Sequence, residues 1–360
     1  MKEFISGTKI VCGPGAVQAL KDANAKKLLV VTDPFFAKNG TAQRIAEAAG
    51  AEQVQIFDKV APDPSVMLVA EGTAEVKEFC PDVIVALGGG SAMDCAKAML
   101  HFAGGQIRLV AIPTTSGSGS EVTDFAILTH KKVKHPLIDS RLRPELAILD
   151  DELVAGLPPS LVADGGFDVL SHALEAYVAQ NATPFTDAFA KDAFCCAFGA
   201  LPASFAGKTE VRGKVHIAAT MAGMAFTQAG LGVCHALSHS LGGMFHVPHG
   251  RLNAILLPGV VGLNASAAGE KYAKLARAAG LGGSVDTIAV RNLKNGLIRL
   301  RRELKLPETL AQAGVDPREV WHRSGEIVDA ALKDPCCRTN PVQVEDFMLR
   351  QILEEVTGRV

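Results

Sequence analysis

From the N-terminus to about residue 150, short runs of β-branched and apolar residues alternate with longer stretches in which alanine and leucine recur at helical spacing. Lys27-Leu28-Leu29-Val30-Val31-Thr32 reads as a strand, Thr41 to Ala49 as a helix, and Val54-Gln55-Ile56-Phe57 as a second strand. A turn at Pro62-Asp63-Pro64 leads into a helix from about Ser65 to Phe79. Asp82-Val83-Ile84-Val85-Ala86-Leu87 is the clearest strand, apolar at every position after the first, and Ala92 to Leu100 beyond it has helical spacing. Arg108 to Ile112 and Leu146 to Leu149 complete the strands. Continuous apolar strands alternating with amphipathic helices predict a parallel sheet covered by helices. Leu157-Pro158-Pro159 breaks this pattern, and Ala-, Leu- and Gly-rich helical stretches then run to the end. The expected division is a Rossmann-like α/β domain over 1–156 and an all-helical domain over 157–360.

Composition narrows the function. A chain of 360 residues is long enough for two domains with separate cores. The net charge of −2, with signs interspersed, leaves no basic face for nucleic acid. Apolar residues make up 48% of the chain, yet no uninterrupted run approaches the roughly 20 residues of a membrane span. The start, MKEFISGTKIVCGPG, lacks the apolar core and cleavage site of a secretory signal, so the expected location is the cytoplasm. Eight cysteines include two adjacent pairs and no C-x-x-C, which fits reduced thiols rather than a disulfide framework or a zinc knuckle.

Two loops follow strand ends. The Asp82–Leu87 strand runs into Gly88-Gly89-Gly90-Ser91 and then a helix, an arrangement that aims backbone N–H groups and a helix N-terminus at a phosphate. A tight turn needing backbone freedom is the plainer reading, and the run is not the G-x-G-x-x-G fingerprint. Pro113-Thr114-Thr115-Ser116-Gly117-Ser118-Gly119-Ser120-Glu121 leaves the next strand at the edge where ligands of open α/β sheets bind.

The helical half carries the second chemistry. Ala229 to Gly250 packs four of the ten histidines into small and apolar residues. His235 and His239 are four apart, so a helix over Gly232–Gly242 presents both on one face, and His249 follows in a Pro-His-Gly. Upstream, Asp168 and His172 are again four apart. One histidine on an apolar helix is ordinarily a hydrogen-bonded core residue, but two such pairs plus a third segment point to a metal site. Three imidazoles and one carboxylate suit zinc or ferrous iron with room for substrate. Cys234 points about 100° away from His235 on such a helix and reads as packing. A cleft between the halves would bring a cofactor and a metal together.

GGGSAMDCAKAM, AIPTTSGSGSEVT, LAILDDELVAGLPPSLVADGGFDVLSHALEAYV and AGMAFTQAGLGVCHALSHSLGGMFHVPHGRLNAILLP are similar, in sequence and order, to the signatures of the iron-dependent alcohol dehydrogenases. The FHVPHG segment and Arg338-Thr339-Asn340-Pro341 most resemble the propanol dehydrogenases of propanediol-utilising bacteria. The resemblance implies that Asp168, His172, His235 and His249 hold the metal, ferrous iron with zinc as the other candidate. It places His239 beside the metal and nicotinamide without being a ligand. It assigns Gly89, Gly90 and Ser91 to the pyrophosphate, Thr114, Thr115, Ser118 and Lys134 to further NAD(H) contacts, and Asp33 to the adenosine ribose. Asp94 and Lys97 are also family positions. Two departures stand out: a shortened segment between Leu100 and Arg108, and Gly165, where threonine or serine is usual, which is expected to loosen the start of the ligand helix.

The implied reaction is interconversion of short primary alcohols and aldehydes, propanal and 1-propanol foremost, by hydride transfer with the metal as Lewis acid. His239 is the candidate for moving the proton. A homo-oligomer, a dimer first, and association with a bacterial microcompartment are expected from the same resemblance. The rival enzyme class is a metal- and NAD-dependent lyase resembling dehydroquinate synthase. Its polyanionic substrate needs Arg and Lys near the metal, where this sequence offers Met224, Phe226, Met244 and Phe245.

Overall fold

The computed structural model describes residues 4–130 and 133–358. The chain forms two compact units, one of Ser6–Leu157 and one built on Pro158–Val360 and joined by the N-terminal end of the chain. In chain order the first unit contains β1 (Lys9–Cys12), β2 (Lys27–Val31), α1 (Pro34–Lys38), α2 (Thr41–Ala49), β3 (Gln53–Phe57), α3 (Val66–Phe79), β4 (Val83–Gly88) and α4 (Gly90–Ala103). It continues with β5 (Arg108–Pro113), β6 (Phe125–His130), β7 (Val133–Ile138), β8 (Leu146–Leu149) and α5 (Asp151–Ala155).

Six strands form a parallel sheet in the order β1-β8-β5-β4-β2-β3. Strand side chains alternate between two buried clusters. Leu28, Val30, Val83, Val85 and Leu87 pack with Ile45 and Ala46 of α2, while Leu29, Val31, Ile84 and Ala86 pack with Val69 and Val76 of α3 and Met93 of α4. Both faces are therefore apolar, which is why Leu28–Val31 and Val83–Leu87 read as unbroken hydrophobic runs. The chain goes from β2 outward to β3 and returns past β2 to β4, so the direction of winding reverses between β2 and β4. That reversal opens the carboxyl edge of the sheet where such folds bind ligands, and Asp33 and Gly88–Gly90 sit on it.

The sequence reading lacked three strands. The antiparallel pair β6–β7 buries only Ala126 and Leu128 along the described part of its first strand and includes polar, histidine-bearing positions, so its alternation is too weak to stand out. β1 is a four-residue edge strand, mostly exposed.

The second unit comprises α6 (Pro159–Val178), α7 (Pro184–Phe205), α8 (Arg212–Ala229), α9 (Val233–Phe245), α10 (His249–Ala278), α11 (Asp286–Glu303), α12 (Pro317–His322), α13 (Ser324–Lys333) and α14 (Asp346–Thr357). Phe4 stacks on Phe185 and Phe189 of α7, with ring centroids at 5.5 and 5.7 Å. α10 is long and apolar enough by composition to cross a membrane, but 67% of its apolar window, of mean hydropathy 1.4, is buried against the other helices. α6 is buried at every residue from Val169 to Val178, with no solvent face. A methyl group on Gly166 would stand 2.1 Å from Leu201 Cδ2, so the glycine lets α6 and α7 pack closely. Gly165 lies inside α6 rather than before it, and the helix runs through it from Pro159, so the expected loosening of its first turn does not occur.

Candidate functional site

Within the helical unit, α6, α9 and the first residue of α10 deliver their donors to one point. His172 Nε2, His235 Nε2 and His249 Nε2 lie 3.7, 3.9 and 3.6 Å from the same oxygen, Asp168 Oδ1. Asp168, His235 and His249 form a set whose ligand atoms all fall within 4.8 Å of one another, and His172 reaches the same carboxylate from one turn along α6. Two donors each about 2.1 Å from a shared ion at the tetrahedral angle stand about 3.4 Å apart, so a small inward adjustment closes this set around an ion. His235 is 1% exposed, and its Nε2 meets no hydrogen-bond partner among the described residues. Burial, with the neighbouring His172 and His239, holds the His235 ring well below the usual imidazole range. That favours the neutral ring, the form able to bind a metal. A buried, unpartnered imidazole nitrogen aimed at a carboxylate, with two further imidazoles beside it, fits a divalent cation.

The surroundings hold these groups in place. Glu175 Oε2 meets His235 Nδ1 at 2.6 Å, which leaves Nε2 directed at Asp168. The same carboxylate accepts the backbone N–H groups of Cys234 at 2.7 Å and Gly232 at 3.0 Å, capping the N-terminus of α9. Burial pushes the Glu175 carboxyl up to about 7 against the pull of those N–H groups. Asn253 Nδ2 donates to Asp168 Oδ1 at 2.9 Å. Two glycines permit the approach of the elements. A side chain on Gly232 would stand 2.7 Å from Glu175 Oε1, and one on Gly250 would stand 1.9 Å from the Asp164 carbonyl oxygen. The Pro-His-Gly sequence thus combines a helix start, a candidate ligand and a glycine that lets α10 touch the backbone of α6. His172 is stacked between Phe226 and His235, with ring centroids at 4.3 and 4.5 Å. Cys234 is buried and its thiol is pushed well up by that burial, in keeping with a packing role.

His239 stacks on His249 at 5.3 Å and stands apart from the donor set around Asp168. Its Nδ1 lies 2.8 Å from Asp334 Oδ2, in the turn after α13. Burial works to raise the Asp334 carboxyl, but the His239 contact and the Cys336 N–H prevail and bring it down to about 2. Glu175, Asn253 and Asp334 were absent from the sequence reading. Glu175 lies seven residues beyond Asp168 and Asn253 four beyond His249, each on the face of the ligand preceding it, so helical spacing carried a signal for both. Asp334 is 95 residues from His239, and nothing in the sequence connects them.

In the sheet unit the two loops meet. Thr114 N donates to Gly88 O at 2.9 Å. A Cβ on Gly89 would lie 3.2 Å from Thr115 Oγ1, and one on Gly90 would lie 3.2 Å from Ser118 Cβ. Gly88 has φ 148°, which favours glycine. Gly89 caps α4 without a side-chain hydrogen bond, and Ser91 is the second residue of that helix, so its first N–H groups face the loop. Beneath, fully buried Lys97 donates to Ser120 Oγ at 2.8 Å and to Thr123 O, Thr123 Oγ1 and Phe125 O at 2.9 Å, fastening the second loop to α4. Ser120 Oγ in turn donates to Asp94 Oδ1 at 3.0 Å. Burial brings Lys97 down to about 8 and raises Asp94 to about 6. Asp33 Oδ1 accepts Phe35 N at 2.8 Å and Phe36 N at 3.3 Å, capping α1, while Oδ2 lies 3.8 Å from where a Gly88 Cβ would stand. Lys134 is ion-paired to Asp63 at 2.9 Å.

Known proteins share this architecture. A family model described as iron-containing alcohol dehydrogenase matches residues 7–151, and the C-terminal model of the Fe-containing alcohol dehydrogenase family matches 162–357. The 1-propanol dehydrogenase PduQ of Citrobacter freundii is 40% identical over 370 residues, covering 99% of this chain and 100% of that protein. The NADPH-dependent butanol dehydrogenase of Clostridium saccharobutylicum is 36% identical, covering 98% and 97%. The crystal structure of 1,3-propanediol oxidoreductase superposes with a TM-score of 0.93 at 32% identity, covering 98% and 99%. With both units matched along their length and a donor set that fits a cation in the helical one, this enzyme belongs to the iron-containing alcohol dehydrogenase family.

Proposed function

We propose that the enzyme interconverts short primary alcohols and aldehydes, propanal foremost, using NAD(H) and a ferrous ion held by Asp168, His172, His235 and His249. The observation that carries this reading is the convergence of three imidazole nitrogens on Asp168 Oδ1, one of them buried and unpartnered. When bound, the ion supplies Lewis acidity toward an alcohol or aldehyde oxygen, and the nicotinamide accepts or returns the hydride. Glu175 and Asn253 keep His235 and Asp168 oriented for binding. Phe226, stacked on His172, walls the donor set with an apolar surface suited to an alkyl chain. With Nδ1 engaged by Asp334, His239 exchanges the substrate proton through Nε2.

In the sheet unit, Gly89, Gly90 and Ser91 offer backbone donors to the pyrophosphate. Thr114, Thr115 and Ser118, anchored through Lys97, offer side chains beside it, and Asp33 Oδ2 takes the ribose. Lys134 would join them on release from Asp63. A lyase acting on a polyanion lacks support: Arg251, the basic residue nearest His249 in sequence, is engaged by Asp164 at 2.9 and 3.2 Å.

The test is NADH-dependent reduction of a chain-length series of aldehydes by protein reconstituted anaerobically with iron or with zinc. Short aliphatic aldehydes and iron should give the highest kcat/KM. Preference for polyhydroxylated or phosphorylated substrates overturns the reading.

A further inference from the structure

We propose that His239, Asp334 and Cys336 form a second divalent-cation site, selective for an ion of the zinc or cadmium class, whose occupancy inhibits the enzyme. One donor atom from each of the three residues lies within 4.8 Å of the others, and the set shares no residue with Asp168, His235 and His249. Two of the donors come from one turn. Asp334 Oδ1 accepts Cys336 N at 2.8 Å, which closes the turn over Pro335 and brings Cys336 beside the carboxylate. Asp334 Oδ2 already touches His239 Nδ1 at 2.8 Å. Cys337 takes no part, since its Sγ turns to the Ala331 carbonyl at 3.0 Å.

An imidazole, a carboxylate and a thiol are a donor set of the zinc type, with water free to complete a tetrahedron. Magnesium and calcium prefer oxygen donors, so the thiol confers selectivity. On binding, the Cys336 thiol releases its proton to solvent and the ring proton of His239 moves from Nδ1 to Nε2, so that the ion gains a thiolate, a ring nitrogen and a carboxylate oxygen. No electrons move. The remaining ring proton of His239 is then confined to Nε2, and the imidazole can no longer take up a second one. The inhibitory half of the proposal rests on the role assigned to His239 above, whereas the binding half does not.

The experiment adds cadmium to the iron-loaded enzyme and to Cys336→Ser, and follows cadmium and iron content, the near-ultraviolet sulfur-to-cadmium charge-transfer band, and NADH-dependent propanal reduction. The donors around Asp168 include no sulfur, so the band reports cysteine coordination alone. The wild type should bind one more equivalent of cadmium than Cys336→Ser at unchanged iron, with a band the variant lacks. The concentration needed for inhibition should rise in the variant by at least the ~10- to 100-fold that loss of an outer-shell partner already costs a metal site. Cys336→Ala gives the same reading should the serine variant prove unstable. Cadmium that enters only as iron leaves, or an identical band and stoichiometry in Cys336→Ser, overturns the site. A band that depends on Cys336 while turnover is unaffected overturns the inhibition and removes His239 from proton transfer, leaving the binding intact.

Discussion

Asp33 caps α1 and is the proposed ribose contact, two roles that one substitution can separate. Its Oδ1 caps α1 through Phe35 N and Phe36 N, while Oδ2 is turned toward Gly88 at the point where the sheet reverses direction. A carboxylate there accepts hydrogen bonds from the ribose hydroxyls of NADH, but it faces a like charge on the 2′-phosphate of NADPH. One pair of unit charges 4 Å apart costs about 4 kcal/mol at an effective dielectric of 20, and solvent at the sheet edge reduces this. With about 1.4 kcal/mol for each factor of ten, a ten- to hundred-fold preference for NADH is expected. Asp33→Asn removes the charge and keeps a good cap, so the preference should collapse with little change in melting temperature. Asp33→Ala should lose both, the missing cap costing about 1 kcal/mol, or about 2–4 °C for a unit of this size. The assay is kcat/KM for both cofactors in the three proteins, alongside thermal unfolding. Equal use of NADPH by the wild type would refute the assignment, as would an Asn variant with unchanged cofactor ratio. The contrast is a real one, because the butanol dehydrogenase that is 36% identical is NADPH-dependent.

His249→Ala should abolish tight metal binding and turnover together, and full activity in exhaustively chelated protein, shown metal-free, would end the metal hypothesis. His239→Ala should lose on the order of 10²- to 10⁴-fold in kcat while keeping its metal, the range of a lost general acid–base group; metal loss matching that of His235→Ala would reassign it as a ligand. Gly250→Ala drives a methyl group into the Asp164 carbonyl, so α10 must shift and carry His249 with it. The expected cost is about 1–3 kcal/mol or more, with weakened metal binding, read by thermal unfolding and metal content. Wild-type behaviour in both measurements would show that the helices can separate freely.

The sheet and the helical half were legible in the chain because their signals are local. Leu28–Val31 of β2 and Val83–Leu87 of β4 are buried on both faces and apolar throughout, and the change to helical spacing after Leu157 shows in any short window. The helices carrying the candidate donors were readable for the same reason, since residues four apart share a face whatever lies around them. Glu175 and Asn253 obeyed that rule too, but a glutamate or asparagine on a helix is ordinarily a solvated residue. Only the packing of α6 against α9 and α10 shows Glu175 as a buried carboxylate holding His235 and capping α9. The pairing of His239 with Asp334, the contact of the Gly89–Gly90 turn with Thr115 and Ser118, and the fastening of that loop by Lys97 likewise join residues far apart in the chain. Spacing along a chain specifies which side chains share an element's face, but which faces meet is decided by the summed packing of whole elements. That sum, unlike the local periodicity, was settled only in the tertiary structure.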